Sequence, residues 1–299
     1  MINVFREVIM HLGKELEKEV YELSHINSVL REMYTTFPKY FEKFKSQSPE
    51  PSFSKAIKDY EIEQKSYREY LNLLALEEFE DNPSSFKGHT RTKCPIIRRC
   101  LMSNDEVMKQ YKISFSETPG RQLLDGVKKI AWFGSDYNAS FNDEAHEQIQ
   151  TFQDLKLDLL NDATYGCPGV IGYGVQSSLL YGQYPHAFAH RSQNAVWALY
   201  FITNKKSFGL EDDSEFLMVQ TKRNTCEQNY FYPADLFGFY ALKLYLLLKD
   251  ACMELGIKFY DRHRYVYLSV FTDFITDAHR KDIEIYKWSS DYVENHWFS

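Results

Sequence analysis

Residues 229–255 read NYFYPADLFGFYALKLYLLLKDACMEL, and the folding of this stretch decides the class of the chain. After Pro233 it is apolar on nearly every face, with Lys243 the only charge between Asp235 and Lys249. A run of this kind shows no strict two-residue alternation and far exceeds the usual strand of about 4–8 residues. It predicts a helix over Ala234 to Leu255, apolar all round and therefore buried against several neighbours. The longest apolar run, Leu236 to Leu248, contains Lys243 and is shorter than the roughly 20 residues a membrane span needs.

Working outward, EFLMVQTKR (Glu215–Arg223) and RYVYLSVF (Arg264–Phe271) carry the β-branched and aromatic content of strands, although the second also suits a continuing helix. DEAHEQIQTFQDLKLDLL (Asp143–Leu160) has helical periodicity, and TPGRQLL marks a turn before Gly120. At the N-terminus Val4, Val8, Leu12, Leu16, Val20, Leu23, Ile26, Leu30 and Met33 form one apolar stripe between charged residues, the pattern of one long helix or two stacked ones over Ile2 to Lys45. SQSPEPSFS (Ser46–Ser54) breaks that pattern. Ser54 is placed to cap a second helix carrying Ile57, Tyr60, Tyr67, Leu71, Leu74 and Phe79, which gives an antiparallel helical hairpin. EDNPSSFKGHTRTKCPIIRRC (Glu80–Cys100) then changes to loop and to a basic segment with Arg91, Lys93, Arg98 and Arg99, which predicts a domain boundary near residues 81–95. The expected chain is mainly α with a minor β element: an N-terminal long-helix hairpin over residues 1–87 and a larger, mostly helical domain over residues 88–299.

Composition bounds the function. With 44% hydrophobic and 26% charged residues, the 299-residue chain is neither disordered nor collagen-like, and 16% aromatic predicts a core or groove rich in Tyr and Phe. The five cysteines are odd in number and lack any C-x-x-C spacing, so a disulfide framework or zinc ribbon is not expected and a reducing compartment is. The first twenty residues place Arg6 and Lys14 inside an amphipathic pattern without an export signal, so the expected location is soluble and cytoplasmic. A net charge of −7 argues against a protein that coats nucleic acid generally, while leaving room for a local basic groove.

The stretch Cys167 to Trp197, CPGVIGYGVQSSLLYGQYPHAFAHRSQNAVW, concentrates glycines, small polar residues and a His-Arg pair. Within it VIGYGVQSSLLY (Val170–Tyr181) resembles the hairpin of the helix-hairpin-helix DNA-binding motif, with Val170, Gly172, Tyr173, Gly174 and Ser178 at the apolar, glycine and small positions. The resemblance implies that backbone N–H groups at the start of the second helix point at a duplex phosphate. Permissive glycine backbone and the positive end of a helix are the physical grounds. The expected nucleic-acid contacts are Gly172, Tyr173, Gly174, Ser177 and Arg191, positioning the protein on duplex DNA without reading bases. The alternative is packing: Gly169, Gly172 and Gly174 ending one helix and letting the next approach, with Ser177 and Ser178 as small interface residues. The likeness stops short of the DNA glycosylases that share the hairpin. Gln176 stands at their lysine position and His190 or Asn194 at their aspartate position, so neither a Schiff base nor a carboxylate base is available.

Other constellations are weaker. His186 and His190 lie four apart, but Pro185 favours a loop, where structural hydrogen bonds are the ordinary fate of a histidine, and no metal site is expected. Arg191 offers a forked donor for phosphate or for an acidic helix such as that around Asp143 to Glu147. LEDDSEFLMVQTKRN resembles a variant of the restriction-endonuclease core, with Asp212, Asp213 and Glu215 before a strand ending in Gln220 and Lys222. That likeness implies a metal-dependent nuclease with Asp213, Glu215, Gln220 and Lys222 as catalytic candidates and Mg²⁺ as the cofactor; no cofactor is expected otherwise. The bland reading is a solvated acidic loop leading into an edge strand. The first functional expectation is thus an intracellular DNA-binding or DNA-associated protein, the second a noncatalytic interaction protein self-associating or binding a protein partner through its N-terminal helices, and the third the nuclease.

Overall fold

The computed structural model describes residues 23–104, 108–204, 217–220, 225–228 and 233–285. The chain is mainly α-helical: α1 (Leu23–Lys45), α2 (Pro49–Tyr70), α3 (Leu73–Glu77), α4 (Pro83–Lys93), α5 (Pro95–Met102), α6 (Met108–Glu117), α7 (Gly120–Ala139), α8 (Asp143–Glu147), α9 (Tyr173–Gln183), α10 (Gln193–Ile202), α11 (Ala234–Glu254) and α12 (Arg264–Ala278). Two short strands, β1 (Leu217–Gln220) and β2 (Thr225–Gln228), pair antiparallel with Leu217 opposite Gln228. No described helix is long and apolar enough to cross a membrane.

By contacts the chain forms two compact units interleaved in sequence: residues 1–47, 194–232 and 271–299 in one, and residues 48–193 and 233–270 in the other. This division is not the sequence boundary at residues 87–88. The helices of the expected hairpin, α1 and α2, belong to different units.

In the first unit α1 buries Ile26, Val29, Leu30, Met33, Phe37, Tyr40, Phe41 and Phe44, the three-and-four spacing of one helical face. That face meets aromatic rings of the unit's own chain: Phe37 and Phe44 lie 5.5 and 5.1 Å from Phe271, centroid to centroid. The described end of the N-terminal stripe is therefore covered within its own unit, while Val4 to Val20 lie outside the described residues.

The second unit is built around α11, in which every residue from Asp235 to Tyr245 is buried. Lys243 is accommodated by donating from Nζ to the Ile149 carbonyl at 2.6 Å. α11 starts where Asn161 Oδ1 accepts from the Ala234 N–H at 2.7 Å. It ends at Gly256, whose φ of +80° turns the chain so that the Ile257 N–H reaches the Cys252 carbonyl at 3.0 Å. α2 starts at Pro49 rather than after Ser54. Prolines suit a first turn whose N–H groups have no intrahelical acceptor, so Pro49 and Pro51 begin this helix and Ser54 lies inside it. α2 runs against α9, with Tyr60 Oη donating to the Gly182 carbonyl at 3.2 Å and Gln64 Nε2 to the Gln183 carbonyl at 3.0 Å.

One open alternative is decided and one expectation is corrected. Arg264–Phe271, which suits strand or helix in the sequence, is helix: every residue from Arg264 to Leu268 is buried, without the two-residue alternation of a half-buried strand, and the helix runs on to Ala278. Asp143–Leu160 is not one helix. α8 stops at Glu147, and only the 3-10 turns Gln153–Leu155 and Asp158–Asn161 follow, with Lys156 left-handed at φ 54° between them. This loop buries Phe152, Leu155, Leu157 and Leu160, and Leu155 and Leu157 approach α11 at Gly238. Tertiary packing on α11 thus overrides local helical periodicity.

Candidate functional site

The chain enters the glycine-rich stretch through a 3-10 turn, Ala163–Tyr165, and a tight loop. Val170 and Ile171 N–H groups donate to the Cys167 carbonyl at 2.9 and 2.7 Å, and the Cys167 N–H donates to the Ile171 carbonyl at 3.0 Å. Gly169 is needed at the corner: its φ is +73°, and a Cβ there would lie 2.7 Å from the Ser114 side chain of α6. Cys167 is buried, and burial pushes its thiol up, so it is a small apolar group rather than a thiolate.

Gly172 is the extended residue at the head of α9, and the Gln176 N–H is the first to reach back, to the Gly172 carbonyl at 2.9 Å. The N–H groups of Tyr173, Gly174 and Val175 accordingly have no intrahelical acceptor. Gly172 and Gly174 are both exposed. Neither has a positive φ. A Cβ on Gly172 would meet nothing within 4 Å among the described residues, and one on Gly174 only the Arg191 carbonyl at an ordinary 3.7 Å. Neither glycine is therefore a packing device, and neither meets a backbone demand of the fold.

The expected contacts gather around this head, in altered roles. Ser177 Oγ accepts the Arg191 N–H at 3.0 Å and donates to the Gly174 carbonyl at 3.0 Å, which ties the His190–Arg191 segment to the first turn. The Arg191 guanidinium turns inward over the rings of Tyr173 and Phe237, 5.4 and 5.8 Å from their centroids, and the residue is only 9% exposed. It lines a narrow, mainly apolar cleft of about 30 Å³ with Tyr173, Gln176 and Phe237. The place expected for Arg191 beside the acidic helix α8 is taken by Arg264, which reaches Asp143 at 3.0 Å and Glu147 at 3.3 Å. Tyr173 Oη donates to the Asn161 carbonyl at 3.4 Å.

Gln176 is buried and spends its amide on the Leu160 and Tyr165 carbonyls at 3.1 and 2.9 Å, a structural task that leaves nothing for chemistry. His186 and His190 do not converge. His186 Nε2 meets Asn138 Oδ1 and His190 Nε2 meets Ser178 Oγ, each at 2.9 Å, and no metal-holding group of His, Cys, Asp and Glu occurs among the described residues. Burial pushes the His190 imidazole down to about 4, with the Arg99 charge adding to the effect, so it is neutral near pH 7. The Ser178–His190 contact has the spacing of a nucleophile and base. Ser178 is nevertheless buried and also bonded to the Gly174 carbonyl at 2.8 Å, which leaves no open side for a substrate.

Asp212, Asp213, Glu215 and Lys222 lie outside the described residues, and for Gln220 only its backbone place at the end of β1 is described. In the basic segment Arg91, Lys93, Arg98 and Arg99 are exposed, and Arg99 pairs with Glu63. Sequence reasoning missed two things: the stacking of Arg191 on Tyr173, which no spacing rule signals across eighteen positions, and the conformational neutrality of Gly172 and Gly174.

No family model matches the chain, and no curated protein or solved structure matches it.

Proposed function

We propose that this protein associates with duplex DNA by seating a backbone phosphate on the head of α9. The observation that carries the reading is the pair Gly172 and Gly174. Both are exposed and have room for a Cβ, and neither has a backbone angle that demands glycine. What glycine still provides at such a place is unhindered approach of an outside group to the N–H groups of a helix start. The helix is eleven residues long, so the positive end of its dipole is fully developed. Arg191, held in place through Ser177, adds charge behind the first turn without being the principal contact.

With one such contact on a chain of net charge −7, binding is weak, indifferent to sequence and falls with salt as about one or two phosphates neutralised. Fluorescence anisotropy of a labelled duplex titrated with the full chain at several salt concentrations measures this. Gly174→Asp and Gly172→Asp place a carboxylate where the phosphate belongs, and both weaken binding more than Arg191→Ala. The variants are clean because an acidic residue in a first helical turn is itself stabilising, so their melting temperatures hold or rise. Duplex binding by both glycine variants equal to that of the unaltered chain removes the reading.

A further inference from the structure

A second place in the same unit gathers positive charge around a pocket. Between α4, α5 and α6 lies an open pocket of about 470 Å³, within the range that holds a small-molecule ligand. Lys87, Gly88 and Arg91 of α4 line one wall, at the spacing that puts them on one helical face, and Lys112, Phe115 and Ser116 of α6 line another. No carboxylate is among its described lining residues. In a chain with 42 acidic and 35 basic residues, three cations around one pocket without a counter-charge among the described lining residues point to an external anion.

The cations are fixed by neutral acceptors. Lys87 Nζ donates to the Ser116 and Thr118 carbonyls at 2.5 and 2.9 Å and lies 5.7 Å from the Phe115 ring centroid. Lys112 Nζ donates to the Ser103 carbonyl at 2.5 Å. These bonds orient the ammonium groups and leave their charge uncancelled. Arg91 is exposed, and its fork has no ion pair or hydrogen bond among the described residues. Gly88 opens the floor between them, since a Cβ there would meet nothing within 4 Å.

We infer that this cavity binds a small phosphorylated metabolite carrying at least two negative charges. Arg91 grips a phosphate through its fork, Lys87 and Lys112 supply point charges, and Phe115 with Leu101 forms the apolar part of the wall. A pocket of this volume, walled by three helices, suits a compact polyanion better than the continuous backbone of a duplex. The inference stands apart from the DNA reading, because α9 does not line the cavity.

Isothermal titration calorimetry of the full chain in chloride buffer, with inorganic pyrophosphate and with ADP as probes, tests it. Both bind, and Arg91→Glu and Gly88→Asp each weaken pyrophosphate by about tenfold or more, as expected for losing a charge-assisted fork or gaining a repelling carboxylate. Both positions are exposed, and melting curves verify that the variants stay folded. Gly174→Asp leaves pyrophosphate binding unchanged, which separates this site from the head of α9. Absence of heat with both probes at millimolar concentration overturns the inference, as does unchanged binding by Arg91→Glu. If Arg91→Glu and Gly174→Asp weaken duplex DNA and pyrophosphate alike, the basic wall is part of a nucleic-acid track and the small-molecule site is refuted.

Discussion

A Cβ placed on Gly182 would lie 2.4 Å from ring carbons of Tyr67, so α2 and α9 touch there through the missing side chain. The Tyr67 ring is buried and its phenol is pushed up, first by burial and then by the Glu63 charge, so a side chain at position 182 must displace a ring packed in the interior. Gly182→Ala is therefore an overpacking change and lowers stability by about 1–3 kcal/mol despite the better helix propensity of alanine. Gly88 supplies the opposite case. It is helical and exposed with open space at its Cβ, so Gly88→Ala raises stability by about 0.5–1 kcal/mol. Urea unfolding of the two variants beside the unaltered chain decides the matter, and equal midpoints for all three would contradict the packing argument. The three behaviours of glycine here, crowded at Gly182, required by a left-handed backbone at Gly169 and unconstrained at Gly172 and Gly174, are indistinguishable in the sequence because each depends on the fold around it.

Short α8 and long α12 are joined by one fully buried side chain. Arg264 is 0% exposed; it reaches Asp143, Glu147 and Asp261 at 3.0, 3.3 and 3.8 Å and also donates to the His186 carbonyl. Lys249 of α11 joins the cluster at Glu147 and Asp261, at 2.7 and 3.2 Å. Removing the central cation strands carboxylates around an apolar pocket, and breaking a buried pair costs about 3–5 kcal/mol; Arg264→Met falls toward the lower value because Asp143 and Asp261 still reach water. Arg264→Lys keeps the charge but loses the fork, so its unfolding midpoint lies between those of the methionine variant and the unaltered chain. A methionine variant as stable as the parent would show that the cluster is solvated and energetically idle. α11 was legible from sequence because an all-round apolar run admits one outcome, and α1 because its period is unbroken. The residues after Glu147 were not, since their leucines have helical spacing but are claimed one by one by α11. Nor was the burial of Arg264, since an arginine beside Tyr and Val reads equally well as a strand-end charge.

Over the whole chain, sequence statistics read the helical class and the aromatic core, and the interleaving of the two compact units escaped them because it is set by contacts between distant segments. The same scale governs the response to acid, which sums over buried groups. Burial pushes the His146 imidazole from 6.5 down to about 3, with the charges of Arg264 and His186 adding, and its Nε2 sits 3.0 Å from Tyr265 Oη in a site 3% exposed. His190 moves the same way, to about 4, and His186, His263 and His89 are also lowered by burial. For each of these bases the unfolded chain takes up a proton near pH 6.5 while the folded chain refuses it. Their full contribution to stability is present above that pH and drains away as pH falls toward the folded value. Asp235 and Asp273, raised by burial, pull the other way: from their ordinary value of 3.8 upward the folded chain holds a proton that the unfolded chain has released, so each gives back some stability as pH falls. His146 alone makes stability fall by about 1.4 kcal/mol for each pH unit below 6.5. Unfolding free energies measured by urea at pH 7.5, 6.5, 5.5 and 5.0 trace that slope. His146→Gln keeps a polar partner for Tyr265 but does not titrate, so its stability falls less steeply with acid than that of the unaltered chain, and the two curves converge toward low pH. Parallel curves for the two proteins would mean that His146 binds its proton as readily in the folded chain as in the unfolded one.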